Sequence, residues 1–209
     1  MISIAIPTGV LLDGSLELLR RVEATDLDAD MIGRRLLVER GGLRLVLVKP
    51  ADVPAYVDHG SADLGIVGKD QLWESSGKHY ELVDLGFGDC ALIVAVPEAS
   101  SLNGPETWPP TMRVATKYPR ATQAYMERLG QAVEVVPLHG SVELAPLVGL
   151  VEAIVDLTGT GRTLRENRLR VVAEVGRSTA RLIANQASLK TRTEPIQSLV
   201  TSIRALVRP

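Results

Sequence analysis

The chain has 209 residues, 45% of them apolar and 23% charged, enough for one large domain or two small lobes and too often charged to span a bilayer. Its 25 acidic and 23 basic residues leave a net charge of −2, so no basic excess exists to neutralise a nucleic-acid backbone, and DNA or RNA binding is not expected. Cys90 is the only cysteine, which excludes an intrachain disulfide and a cysteine-cluster zinc site and suits a reducing, cytoplasmic home.

In chain order, the opening Met1-Ile2-Ser3-Ile4-Ala5-Ile6 has no basic residue ahead of its apolar stretch, so a strand over 2–6 is expected rather than a secretory leader. Ser15 is a candidate cap for a helix with Leu16, Leu19 and Val22 on one face. After a strand over 43–48, Asp52 is a candidate cap for a helix containing Tyr56 and Val57, closed by Gly60. Strands follow over 63–67 and 91–96, the latter inside the longest clean apolar run, residues 90–97. Residues 97–110 concentrate Pro, Ser, Asn and Gly and read as a surface connection or lobe boundary.

Further strands are expected over 113–116, 133–136, 153–157 and 181–185. Pro119 suits the first turn of a helix carrying Ala121, Ala124, Tyr125 and Leu129, and Gly130 suits its end. Ile196, Leu199, Val200, Ile203 and Leu206 mark one apolar face of a terminal helix over 194–207. Strands alternating with helical segments predict an α/β protein with a largely parallel sheet.

The segment Ile154-Val155-Asp156-Leu157-Thr158-Gly159-Thr160-Gly161-Arg162-Thr163 concentrates the chemistry. An apolar strand meets an acid, then a Gly/Thr turn, then a helix start, which can aim several N–H groups and hydroxyls at one tetrahedral anion. An ordinary Thr-capped strand-to-helix turn has the same pattern. A dinucleotide fingerprint fits poorly, because Leu164 stands at its third glycine.

Asp156, Thr160, Gly161 and Thr163 resemble the acid-and-Thr-Gly-x-Thr loop with which phosphoribosyltransferases hold phosphoribosyl pyrophosphate (PRPP). Other blocks narrow the resemblance to the ATP phosphoribosyltransferase family. They are Gly60-Ser61-Ala62-Asp63-Leu64-Gly65-Ile66-Val67-Gly68-Lys69-Asp70, Asp84-Leu85-Gly86-Phe87-Gly88, Ala115-Thr116-Lys117-Tyr118-Pro119, Gly140-Ser141-Val142-Glu143-Leu144-Ala145-Pro146 and Thr160-Gly161-Arg162-Thr163-Leu164-Arg165-Glu166-Asn167. They run in order from about Ile4 to Asn185.

The resemblance implies two α/β lobes like those of type II periplasmic binding proteins, with the active site in the inter-lobe cleft. Residues 1–92 plus 177–209 would form the ATP side and 93–176 the PRPP side. The chain resembles the short form, a catalytic subunit expected as a homodimer within a hetero-oligomer whose regulatory subunit is related to histidyl-tRNA synthetase. The implied reaction joins N1 of ATP to C1 of the phosphoribosyl group with loss of pyrophosphate, the first step of histidine biosynthesis. Mg²⁺ would neutralise the pyrophosphate, with its protein ligands unassigned. Its rival is a non-catalytic nucleotide- or solute-binding paralogue on the same fold.

By the same resemblance, Asp156, Thr158, Gly159, Thr160, Gly161, Arg162 and Thr163 hold PRPP, and Asp70, Gly68 and Arg34 meet ATP. Arg35, Lys49 and Glu143 act on the reacting phosphates and sugar. Glu143 reads equally well as a solvated acid near a helix start, and Lys117 as a phosphate contact or a surface cation. The first turn, Pro7-Thr8-Gly9-Val10, lacks the family's usual Lys and Arg; Asp89 and Ala91 stand where Arg is common, Gly159 where Glu is, and Lys49 where Arg is. His59, His79 and His139 share no metal-ligand spacing. Cys90 reads as a small core residue, and Trp108 as either a partner contact or a loop anchor.

Overall fold

The computed structural model describes residues 1–207 and divides into two compact units, residues 1–88 with 179 onward, and residues 89–178. The last two residues of the sequence-derived first lobe, Arg208 and Pro209, lie outside the described residues. The chain changes unit at 88/89 and 178/179, a few residues from the 92/93 and 176/177 read from the sequence.

In the first unit come β1 (Ile2–Pro7), α1 (Leu12–Arg21), α2 (Ala29–Ile32), β2 (Leu37–Arg40), β3 (Leu43–Val48), α3 (Val53–Asp58), β4 (Leu64–Gly68), α4 (Lys69–Glu74) and β5 (Tyr80–Asp84). The second unit holds β6 (Cys90–Pro97), β7 (Arg113–Thr116), α5 (Pro119–Arg128), β8 (Glu134–Pro137), α6 (Leu144–Leu147), β9 (Ala153–Thr158), α7 (Arg162–Glu166) and β10 (Leu169–Ser178). The chain then returns to the first unit with β11 (Ala180–Ala184), α8 (Gln186–Thr191) and α9 (Thr193–Val207).

The first sheet runs β2-β3-β1-β4-β11-β5 and the second β10-β6-β9-β7-β8. Parallel pairing is confined to β3-β1-β4 and β9-β7-β8; every other neighbouring pair is antiparallel. Both sheets are therefore mixed, not largely parallel as the sequence pattern implied. Antiparallel pairing enters partly through expected strands, β11 on β4 and β6 on β9, and partly through β2, β5 and β10, which were not among the expected ones. Each of these last three lies at a sheet edge and carries charge, as in Leu37-Val38-Glu39-Arg40, which hides the apolar run that betrays a central strand. β10 is further disguised by two irregularities in its pairing with β6.

β1 is buried along its whole length because both faces of the first sheet are covered. Ile2, Ile4 and Ile6 pack with Leu16 and Leu19 of α1 and Ile196 and Ile203 of α9, while Ala5 faces Val53 and Val57 of α3. A side chain at Gly65 would meet Val57 Cγ2 at 2.7 Å and Val53 Cγ1 at 2.8 Å, so glycine there lets α3 lie directly on β4. In the second unit Ile93, Ala115, Val142, Ala145, Ile154, Leu164 and Leu169 form the core.

Some local expectations change. Ser15 does not cap α1, which starts at Leu12; its hydroxyl donates to the Leu11 carbonyl at 2.6 Å from inside the helix. Asp52 makes no capping bond either, because a 3₁₀ turn over Pro50–Asp52 feeds α3 and Pro54 has no N–H that needs an acceptor. Residues 97–110 are no lobe boundary but a loop inside the second unit. Trp108 is 4% exposed and donates its indole N–H to Asn103 O at 2.8 Å, which makes it the loop's anchor. Cys90 is half-buried at the start of β6 rather than in the core.

Asp63 sits at the amino end of β4, away from the turn that carries Asp70, and knots the first unit together. It accepts from the Ser3 N–H and hydroxyl and the Ser188 hydroxyl, and pairs with Arg192 Nη1 at 2.7 Å. Burial alone pushes its carboxyl up, but these donors outweigh burial and hold it below the ordinary carboxylate value. Its contribution to stability is thus present above an unfolded value of about 3.9 and lost as pH falls through the lower folded value. Asp63→Ala is expected to cost about 3 kcal/mol or more in urea unfolding at neutral pH, because two or more buried donors lose their acceptor at about 1–3 kcal/mol each. That cost should shrink as pH falls through the lowered folded value.

Candidate functional site

Parallel strands in an open sheet deliver their following loops to one edge, where α/β proteins place ligands. In the second unit β7, β8 and β9 send Lys117, the 138–143 segment with Glu143, and the loop after Thr158 to that edge. Asp156 lies two residues before the end of β9, beside Val155, the register partner of Thr116 on β7. Lys117, next along the chain, brings its Nζ to 3.7 Å from Asp156 Oδ2.

The Asp156 residue is 6% exposed. Burial pushes its carboxyl above the ordinary value; Lys117 and the Leu157 N–H, 2.9 Å away, pull it back, while the charge of Glu143 adds to the rise. A carboxylate held this way is an acceptor with little water around it, suited to hydroxyl groups of a sugar.

The loop after β9 is shaped by two residues. The Thr158 hydroxyl accepts from the Gly161 N–H at 3.0 Å, closing the turn, and Gly161 adopts φ +69°, a left-handed conformation that other residues adopt only with strain. At this turn Arg162 and Thr163, the first residues of α7, present N–H groups that have no intrahelical acceptor. Thr160 and Arg162 are exposed; the Thr160 carbonyl accepts from Arg165 and the Arg162 guanidinium pairs with Glu166. A side chain at Gly159 would meet nothing within 4 Å, so that position has room for a larger residue.

In the first unit, Thr8, Lys49 and Asp70 follow β1, β3 and β4 at the carboxyl edge of their parallel trio. Arg34 and Arg35 reach the same edge, since Leu36 O accepts from Leu47 N at 2.8 Å just before β2 begins. Arg35 donates its Nε to Ile32 O at 3.1 Å and its Nη2 to Met31 O, holding the end of α2; Arg34 and Lys49 are exposed. Asp70 is buried and accepts from Gln71 at 2.6 Å. A Cβ on Gly68 would lie 2.2 Å from Asp70 Oδ1, so glycine makes the room this carboxylate occupies.

The edge of the second unit carries Asp156, Glu143, the 158–163 loop and Lys117, and it brings the Lys117 ammonium beside Asp156. The sequence left Lys117 open between a phosphate contact and a surface cation; its place after a strand that pairs in parallel with β9 sets it beside Asp156. His79 is bound to Asp58 at 3.0 Å, and no group of three or more metal-binding side chains occurs among the described residues. Among them, too, no helix is long and apolar enough to cross a membrane.

Comparison with known proteins accords with this geometry. The family model HisG, ATP phosphoribosyltransferase, matches residues 49–205. The ATP phosphoribosyltransferase of Rubrobacter xylanophilus is 48% identical, over 99% of this chain and 96% of the relative. The ATP phosphoribosyl transferase (HisG:HisZ) complex from Thermotoga maritima contains a chain of TM-score 0.84 and 32% identity, covering 99% of this chain and 98% of that one. Arginine-bound ArgBP from T. maritima, at TM-score 0.59 and 11% identity over 98% of this chain and 95% of its own, shares only the two-lobed α/β fold of periplasmic binding proteins. With model, full-length relative and solved structure in agreement, the chain belongs to the ATP phosphoribosyltransferase family.

Proposed function

We propose a division of labour between the two units in the reaction of this family. The chain is an ATP phosphoribosyltransferase: it joins N1 of the ATP adenine to C1 of the phosphoribosyl group, releasing pyrophosphate, in the first step of histidine biosynthesis. As the C1–O bond to pyrophosphate loosens, positive character develops on the sugar and negative charge on the leaving group. No nucleophilic side chain is needed, and the chain's work is to position two polyanions and balance the departing charge.

In this reading the 158–163 loop holds the 5′-phosphate: Thr158, Gly159, Thr160 and Gly161 shape the cradle, and Arg162 and Thr163 give the N–H groups at its rim. Asp156 accepts from ribose hydroxyls. The observation that supports this most is the placement of a buried carboxylate on β9, two residues before a turn closed by Thr158 and a left-handed Gly161. Mg²⁺, when bound to pyrophosphate oxygens, supplies charge neutralisation. A hard cation that keeps water and substrate oxygens and takes one or two carboxylates fits the donor set here, with Glu143 as the carboxylate.

On the ATP side, Asp70 accepts from the exocyclic amine of adenine, in the space that Gly68 leaves, and Arg34, Arg35 and Lys49 face the phosphates. Gly68→Ala is expected to displace the Asp70 carboxylate and weaken ATP binding about tenfold, the loss of roughly one charge-assisted hydrogen bond, with PRPP binding unchanged by calorimetry. The chain works in the cytoplasm as a homodimer within a hetero-oligomer whose regulatory subunit, related to histidyl-tRNA synthetase, carries the response to histidine. The T. maritima relative, solved as a HisG:HisZ complex, supports such a partner. The test is formation of phosphoribosyl-ATP from ATP and PRPP with and without that subunit. Product in the complex is expected; PRPP binding with turnover in neither state would favour the non-catalytic paralogue.

A further inference from the structure

We propose that Lys117 is a substrate-contacting residue of the phosphoribosyl site, a cation that leaves Asp156 to meet the pyrophosphate group of PRPP and holds it as it departs. The inference rests on the reading that Asp156 takes the ribose hydroxyls and the 158–163 loop takes the 5′-phosphate.

The geometry supports it in three ways. Lys117 Nζ stands 3.7 Å from Asp156 Oδ2, beyond the 2.7–2.9 Å of a strong charge-assisted bond, with 40% of its side chain exposed against 9% for Asp156. The pair is long, and the lysine is its solvated half. Its backbone, by contrast, is fixed: Thr116 is fully buried, its hydroxyl accepts the Tyr118 N–H at 2.8 Å, and the Thr122 hydroxyl lies 3.3 Å from it. A lysine whose neighbours on both sides are held, and whose ammonium makes one long contact at a solvated tip, can turn that ammonium toward a ligand without moving the backbone.

The third argument is connectivity within the ligand. The 2′-hydroxyl of ribose neighbours C1, which carries the pyrophosphate, and the 5′-phosphate projects from the other side of the ring. With the 5′-phosphate on the loop after β9 and the hydroxyls on Asp156, a cation beside Asp156, just past the end of the adjacent strand β7, meets the C1 side. The ribose hydroxyls then take over Asp156 as hydrogen-bond donors, so its charge keeps partners when Lys117 moves to the phosphates.

Lys117→Met and Lys117→Arg, made in the full chain and assayed with its regulatory subunit, test the idea. Titration of PRPP alone into wild type by calorimetry tests the underlying reading, because it needs neither ATP nor turnover. Lys117→Met is expected to raise the PRPP KM and the pyrophosphate inhibition constant ten- to a hundredfold, about the loss of one charged hydrogen bond, with the ATP KM within about twofold. Lys117→Arg should restore most of that loss. An unchanged pyrophosphate inhibition constant in a folded Lys117→Met variant, or a loss confined to ATP, would overturn the assignment while PRPP binding by wild type left the site reading standing.

Discussion

Gly161→Val is expected to abolish measurable PRPP binding while leaving the chain folded. At φ +69° a β-branched residue is strained, and a Cβ here would also press to 3.2 Å from Arg165 Nη1. Relief requires the peptide to rotate, which breaks the 3.0 Å bond from the Gly161 N–H to the Thr158 hydroxyl and turns the N–H groups of Arg162 and Thr163 away from a common centre. Losing two or three phosphate contacts at about 1.5–3 kcal/mol each amounts to about a hundredfold at the least and well over a thousandfold in the middle of that range. Calorimetry with PRPP measures it. The loop is exposed, so the melting temperature should fall by only a few degrees. Binding within tenfold of wild type would remove the phosphate-cradle assignment.

Asp156→Asn is expected to divide function from stability. The amide keeps the shape of the carboxylate but accepts more weakly and offers one donor group where two acceptors stood, so turnover should drop on the order of a hundredfold or more. Stability should move the other way. Because burial places the folded carboxyl above its unfolded value of about 3.9, the ionised group opposes folding at neutral pH, and the opposition fades as pH falls below the folded value. Asn removes that opposition, so the variant should unfold at the same or higher temperature than wild type at pH 7, and the difference should vanish near pH 3. Steady-state kinetics and thermal unfolding across pH report the two effects separately. A variant that loses stability along with activity would make Asp156 a structural member of β9 rather than a ligand group.

Much of this was legible in the residues. The central strands announced themselves as short aliphatic runs because both faces of each sheet are covered: Leu43–Val48 and Arg113–Thr116 were read to the residue, and β1, β4, β6, β9 and β11 to within one at each end. Pro119 and Gly130 marked α5 because their backbone limits act within one turn, with Pro119 at the first helical position and Gly130 at φ +68°. The 154–163 segment could be read for the same reason, since a strand, an acid, a Thr/Gly turn and a helix start are all local.

Three things were decided only in the fold. Edge strands β2, β5 and β10 owe their existence to a neighbour's unpaired backbone groups, which no window of their own charged sequence reveals, and the antiparallel direction of β11 on β4 and of β6 on β9 was likewise set by the topology. Asp63 and Asp70, seven residues apart in one block, parted company because β4 runs between them: one was drawn into a knot with Ser3, Ser188 and Arg192, the other left in the space beside Gly68. Lys117 came to Asp156 across 39 residues only because β7 and β9 pair in parallel. Local chemistry is written in adjacent residues, whereas the partner of a charge is set by which strands lie side by side, and that is settled by burial summed over the whole chain.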